Sequence, residues 1–122
     1  MTKKISLVMI GLNEYEGINL LKERINHQKK FLTEILYIDG DSTDGSPELA
    51  KSMGWRIIIQ GKDNRGALNA IKLGVEEALG DFVIFFSPDN NCIPEKIEEV
   101  TKKINEGWDF VKVSRYYGNA KS

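Results

Sequence analysis

An α/β fold, a three-layer αβα sandwich around a mainly parallel sheet, is what this sequence predicts. Three observations carry that expectation. Five apolar runs alternate with four helical patterns from end to end. Several of the runs are apolar at consecutive positions, which suits strands covered on both faces. The connections are only a few residues long, as in βαβ units with right-handed crossovers.

Each element has its own signal. "ISLVMI" (5–10) reads as the first strand. Lys3 and Lys4 precede it, but the run is too short for a secretory leader and lacks a small-residue cleavage site. A helix follows over about 17–31, with Ile18, Leu21, Ile25 and Phe31 spaced to face inward. "EILYID" (34–39) is the second strand, and Ser46-Pro47-Glu48 opens a short helix, proline being suited to a first turn. "WRIIIQ" (55–60) is the third strand. The helix over 66–79 places Ala67, Ala70, Ile71, Gly74, Val75, Ala78 and Leu79 on one face, after an Asn64-Arg65-Gly66 turn in which Asn64 can cap. "DFVIFF" (81–86) is the fourth strand, Ile93, Ile97, Val100 and Ile104 stripe a helix after Pro94, and "DFVKV" (109–113) is the fifth strand. Trp55, Trp108, Tyr37 and Phe110 lie in or beside strands and are assigned to packing. The 122 residues form one domain, with no repeat and no linker.

Composition excludes several classes of function. With 41% hydrophobic and 29% charged residues and a formal net charge of −1, the chain has no surplus of Lys and Arg gathered to hold a phosphate backbone, its lysines being scattered, so nucleic acid is not an expected partner. Cys92 is the only cysteine and His27 the only histidine, which rules out an internal disulfide and a structural zinc site. Cys92 reads as a small packed residue and His27 as a surface one. No run approaches the roughly 18 apolar residues of a membrane span, and a cytoplasmic location is expected, with membrane association in a longer form.

Chemistry is expected beyond the carboxyl ends of the strands, where open α/β sheets bind ligands. Four loops there are unusually polar: "GLNEYEG", "DGDSTDGS", "GKDNRG" and "SPDNN". Ser42, Thr43, Asp44 and Gly45 suit a turn and a helix cap. Asp39 is different, because a carboxylate directly behind "ILYI" ends a buried strand and needs a partner such as the N–H or O–H of a base or ribose. Lys62 and Arg65 bring two cations to a helix N-terminus, an arrangement suited to a diphosphate. Asp89 and the Asn90-Asn91 amides are hard oxygen donors of the kind Mg²⁺ or Mn²⁺ takes together with phosphate oxygens, although Ser87-Pro88-Asp89-Asn90 also reads as a type I turn. Glu14 stands over the same edge, and it or Asn13 can equally cap the helix that follows.

The succession "LVMIGLNE", "ILYIDGDSTDGS", "NRGALNAIKLG", "LGDFVIFFSPDNNCIPE" and "DFVKVSRY" resembles the nucleotide-binding half of family 2 glycosyltransferases. That family includes dolichyl-phosphate mannose synthase-like enzymes, and the resemblance implies a Rossmann-like GT-A fold. In the opening pattern P-x-Y-N-E, Asn13 and Glu14 match while Ile10 and Leu12 replace the proline and the aromatic; the resemblance implies that Glu14 contacts the nucleoside. It puts Asp39 at the base or ribose, with Gly40 where a second aspartate is common. Asn64, Gly66 and Ala67 match the segment near the phosphates. The metal-binding D-x-D falls on Ser87-Pro88-Asp89, so its first aspartate is absent, and Asp89 keeps the position that reaches metal and donor diphosphate. Asn91 stands where Gln is frequent.

The function expected is binding of a UDP- or GDP-linked sugar, with Mg²⁺ or Mn²⁺ held through Asp89, for inverting transfer to an acceptor such as a lipid phosphate or polysaccharide. Leu12, Asn13, Glu14, Asp39, Lys62, Asn64, Arg65, Asp89 and Asn91 are the candidate binding residues, and no catalytic base is assigned. Family members usually continue into an acceptor-binding half, so the chain reads as a donor-binding unit lacking that half, with self-association through an exposed sheet edge expected. A domain that binds the nucleotide without turnover is the alternative.

Overall fold

A computed structural model of the chain describes residues 3–89 and 92–108. Four strands, β1 (Ile5–Gly11), β2 (Glu34–Asp39), β3 (Arg56–Ile59) and β4 (Phe82–Phe86), pair in parallel in the order β3-β2-β1-β4. Around them pack α1 (Tyr15–His27), α2 (Ser46–Ser52), α3 (Ala67–Glu77) and α4 (Lys96–Asn105), with short 3₁₀ turns at Gln28–Phe31 and Lys62–Asn64. The expected fifth strand at 109–113, and Asn90, Asn91 and Phe110, lie outside the described residues.

The central strands are covered on both sides, as their unbroken apolar runs require. Ile5, Leu7, Met9, Ile35 and Tyr37 face a core shared with Ile18, Leu21 and Ile25 of α1, Ala50 of α2 and Ile97, Val100 and Ile104 of α4. Val8, Leu36 and Ile38 face the opposite way, against Ala70 and Leu73 of α3. Each fully buried Ile or Leu contributes about 2 kcal/mol of hydrophobic stabilisation, so α1 is pinned by its three inward residues.

α3 differs from the sequence expectation. Ala70 and Gly74 are its buried residues, while Ile71, Val75 and Leu79, expected inward, are exposed at 41%, 56% and 67%. The cause is steric. A Cβ on Gly74 would lie 2.7 Å from Val8 Cγ1, so the helix turns its smallest residues to the sheet and approaches closely. Trp108 is a second correction: it is half exposed rather than packed, with the Lys103 ammonium 5.5 Å above its ring. Asn64 is a third. α3 is capped by Gly66 with no side-chain cap, and Asn64 instead offers its carbonyl to Gln60 Nε2 at 2.7 Å.

The strand order fixes where a ligand can sit. The chain moves outward from β1 through β2 to β3, then returns by α3 to the other side of β1 as β4. Between β1 and β4 the winding reverses, because α3 crosses to β4 on the face opposite α1 and α2, and it is at such a reversal, beyond the carboxyl ends of the strands, that open α/β sheets bind ligands.

Candidate functional site

A cleft of about 590 Å³ lies at that reversal, lined by Asn13, Glu14, Tyr15, Glu16, Gly17, Leu20, Asp44 and Asp89. Three loops build it. Gly11 and Asp39 are partners in register, so the β1 and β2 loops leave the sheet side by side, and they are stitched together. Asn13 N–H donates to Ser42 Oγ at 2.7 Å, Thr43 N–H to Asn13 Oδ1 at 2.9 Å, and Tyr15 N–H to Asp44 Oδ2 at 2.9 Å. Asn13 and Asp41 both hold positive φ, 55° and 71°, without being glycine. Such backbone costs roughly 1 kcal/mol or more per residue and gathers where function requires it.

Glu14 occupies the N-cap of α1, yet its side chain makes no capping bond. Its carboxyl is left to the cleft rather than used on the helix. Burial, then the Asp89 and Asp44 carboxylates, push its pKa above the ordinary value, so Glu14 and Asp89 sense each other electrostatically although distant in sequence. Asp44 behaves oppositely. Burial works against its charge, but the Ser46 hydroxyl and the Tyr15 and Ser46 backbone N–H groups hold its pKa below the usual range, Ser46 N–H and Oγ donating at 3.0 and 2.7 Å.

Asp39 is fully buried. Its need for a partner is met within the loop, by Ser42 N–H and Ser42 Oγ, each at 2.7 Å. Below it, Tyr37 is enclosed, and among the described residues its hydroxyl has no hydrogen-bond partner of good geometry, Ser46 being the hydroxyl near it. Burial and the Asp39 charge raise its pKa, against a pull from the Ser46 hydroxyl. A side chain on Gly11 would overlap the Tyr37 hydroxyl and meet Glu14 Cγ at 2.9 Å, so glycine there lets Tyr37 reach the top of the sheet.

Asn13, Glu14 and Asp89, predicted from sequence, are therefore brought together. Lys62 and Arg65 do not line the cleft. They follow β3, two strands from β1, and Arg65 Nε donates to Asp41 Oδ2 at 2.9 Å. Leu12 is 56% exposed, beside Gly40, whose Cβ would lie 3.5 Å from Leu12 Cβ. Sequence reasoning missed Tyr15, Gly17 and Asp44 as cleft residues. Asp44 carried the signal of a turn residue, and Gly17 only that of a glycine early in a helix.

A divalent cation is compatible with this donor set on specific terms. Among the described residues no three His, Cys, Asp or Glu side chains converge as a cage. A small hard cation that arrives with a diphosphate needs only one or two carboxylates, and Asp89 and Glu14 are acidic groups facing the same cleft.

Comparisons with known proteins bear on the family and the fold. The family described as "Glycosyl transferase family 2" matches residues 6–122. The chain belongs to that family. Undecaprenyl-phosphate 4-deoxy-4-formamido-L-arabinose transferase of Serratia proteamaculans is 34% identical, and that of Yersinia enterocolitica 32%, each match covering 93% of this chain and 37% of the relative. The chain thus spans little more than a third of the length of these curated relatives. Among solved structures, glucosyl-3-phosphoglycerate synthase of Mycobacterium tuberculosis in complex with phosphoglyceric acid superposes with a TM-score of 0.76 at 23% identity, over 86% of this chain and 40% of that one. The same enzyme with Mn²⁺, UDP and glucosyl-3-phosphoglycerate gives a TM-score of 0.75 at 23% identity over the same shares. The fold is the GT-A type expected from the sequence.

Proposed function

We propose that this chain is the donor-binding part of an inverting glycosyltransferase that takes a nucleoside-diphosphate sugar, UDP- or GDP-linked, together with Mg²⁺ or Mn²⁺. The observation that carries this reading is the cleft at the β1/β4 reversal, in which Glu14 and Asp89 face each other across the carboxyl end of a parallel sheet. The base and ribose would lie over the ends of β1 and β2, against exposed Leu12 and near Asp39, Asn64 and Arg65. The diphosphate would then run toward Asp89. This moves Arg65 and Lys62 from the phosphate end, where the sequence suggested them, toward the nucleoside end.

Asp89, with Glu14 nearby, would hold the cation. When bound, the metal neutralises charge on the departing diphosphate. The chain's own residues bind and orient: the stitched loops fix Asn13 and Glu14 before a ligand arrives, which lowers the ordering cost of binding. For the acceptor, the relatives' names point to a lipid phosphate; no described helix is long and apolar enough to cross a membrane.

Calorimetric titration of the chain with UDP and with GDP, with and without Mn²⁺, tests the reading. Micromolar binding of one nucleotide, tightened by Mn²⁺, is expected. Millimolar or weaker binding of both in the presence of Mn²⁺ would sink it.

A further inference from the structure

We infer that Gly17, in the first turn of α1, is a positioning residue: its missing side chain sets the place of the Asp89 carboxylate in the cleft. This rests on the donor-site reading above and deepens it.

A glycine inside a helix gives up propensity relative to alanine, and Gly17 has φ outside the left-handed region, so no turn geometry requires it. What requires it is contact. A Cβ at position 17 would overlap the carbonyl oxygen of Pro88 and stand 3.0 Å from Pro88 C and 3.5 Å from Asp89 Cα. These are backbone atoms, which cannot swing aside as the end of a side chain can.

One of the two partners would have to move, and the packing decides which. α1 is held by Ile18, Leu21 and Ile25, all at 1% exposure or less. Further along, Arg24 Nε donates to Glu95 Oε2 at 2.9 Å, tying the far end of the 87–95 segment to the same helix. Pro88 is itself fully buried, so the loop has no room to retreat inward. Outward displacement of residues 87–89 remains, and it carries Asp89 away from Glu14. The width of the cleft at its acidic end is thus fixed by a hydrogen atom in place of a methyl.

Small displacements matter here because one carboxylate and a diphosphate must share a small cation with near-ideal geometry. Gly17→Ala should therefore weaken UDP binding in Mn²⁺ by about 10- to 100-fold, the range seen when groups that orient a metal ligand are lost, while UDP binding without metal changes by less than about two-fold. A purely structural role would lower both alike.

Two further variants keep the test decisive. Gly74→Ala introduces a comparable clash, with Val8 on the opposite face of the sheet, and should lower the melting temperature while leaving the Mn²⁺ response intact. Pro88→Gly keeps the contacting carbonyl but frees the backbone torsion that holds the loop against Gly17, without pushing on α1, and it reads out the effect if Gly17→Ala does not fold. Selective loss of the Mn²⁺ response in Gly17→Ala or Pro88→Gly, with Gly74→Ala unaffected, is the expected result. Folded Gly17→Ala, or folded Pro88→Gly in its stead, with the parent's Mn²⁺ response overturns the inference and leaves the donor site standing. Absence of Mn²⁺-dependent UDP or GDP binding in the parent chain overturns both.

Discussion

Two glutamates at opposite ends of the sheet, Glu34 and Glu14, are treated in opposite ways. At the amino-terminal edge, Glu34 has a side chain only 10% exposed, and its charge is answered on every side. Glu34 Oε2 accepts from Ser6 Oγ at 2.7 Å and from Leu79 N–H at 2.6 Å, and Oε1 accepts from Arg56 at 3.3 Å. Ser6 in turn accepts from Gly80 N–H at 2.8 Å, and Arg56 also binds Glu77 at 2.7 Å. At the carboxyl-terminal edge, Glu14 takes part in none of the ion pairs among the described residues, and its neighbours are Asp89 and Asp44. A buried charge with partners holds structure together; one surrounded by like charges awaits a cation or a donor from outside. The difference teaches which end is scaffold and which end is site.

The contrast can be broken most forcefully at Asp89. Asp89→Ala should cost about 2–3 kcal/mol of UDP binding in Mn²⁺, roughly 30- to 150-fold in Kd, with little change in melting temperature, as calorimetry and a thermal melt would record. Glu34→Ala should do the reverse. Leaving Leu79 N–H and Ser6 without an acceptor should lower unfolding free energy by about 2–3 kcal/mol, seen by denaturant titration, with nucleotide affinity unchanged.

Glu14 sharpens the comparison through pH. Its folded pKa is raised above the unfolded value of 4.5, so the folded state binds the proton more tightly. Whatever stability this confers is full below pH 4.5 and is lost as pH rises through the folded pKa. Glu14→Gln should therefore be more stable than the parent near neutrality, with the advantage disappearing in acid, in denaturant titrations across that range. The smallest effect is expected at Arg65, whose side chain is 57% exposed in its pair with Asp41. Arg65→Ala should change unfolding free energy by no more than about 0.5 kcal/mol, while a weaker affinity for the nucleoside alone would support its place at the base end.

The parallel sheet was legible because "ISLVMI" and "EILYID" are apolar at consecutive positions, a pattern only two-sided burial tolerates. Asn13, Glu14 and Asp89 were legible because topology sends the loops after β1 and β4 to one crevice. The inward face of α3 was not. Its periodicity fits two faces, and the choice fell to Ala70 and Gly74, whose small size permits close approach to Val8. Gly17 was silent for a related reason: its importance lies in a contact with Pro88, a residue far along the chain, and no local pattern reports that. Asp44 looked like a turn residue, and is one, but the hydrogen bond it accepts from Tyr15 N–H also seats it at the cleft. Lys62 and Arg65 were read as a diphosphate site from their charge beside a helix N-terminus; the strand order sets their loop after β3, two strands from β1.

Paramagnetic broadening in an amide NMR spectrum distinguishes the two ends of the sheet directly. With UDP or GDP present, trace Mn²⁺ should broaden amides of residues 12–17, 42–46, Ser87 and Asp89 and leave those of Ser6, Glu34, Leu79 and Gly80 sharp. Broadening centred on the Glu34 end, or none anywhere with nucleotide in excess, would contradict a metal-assisted donor site at the β1/β4 reversal.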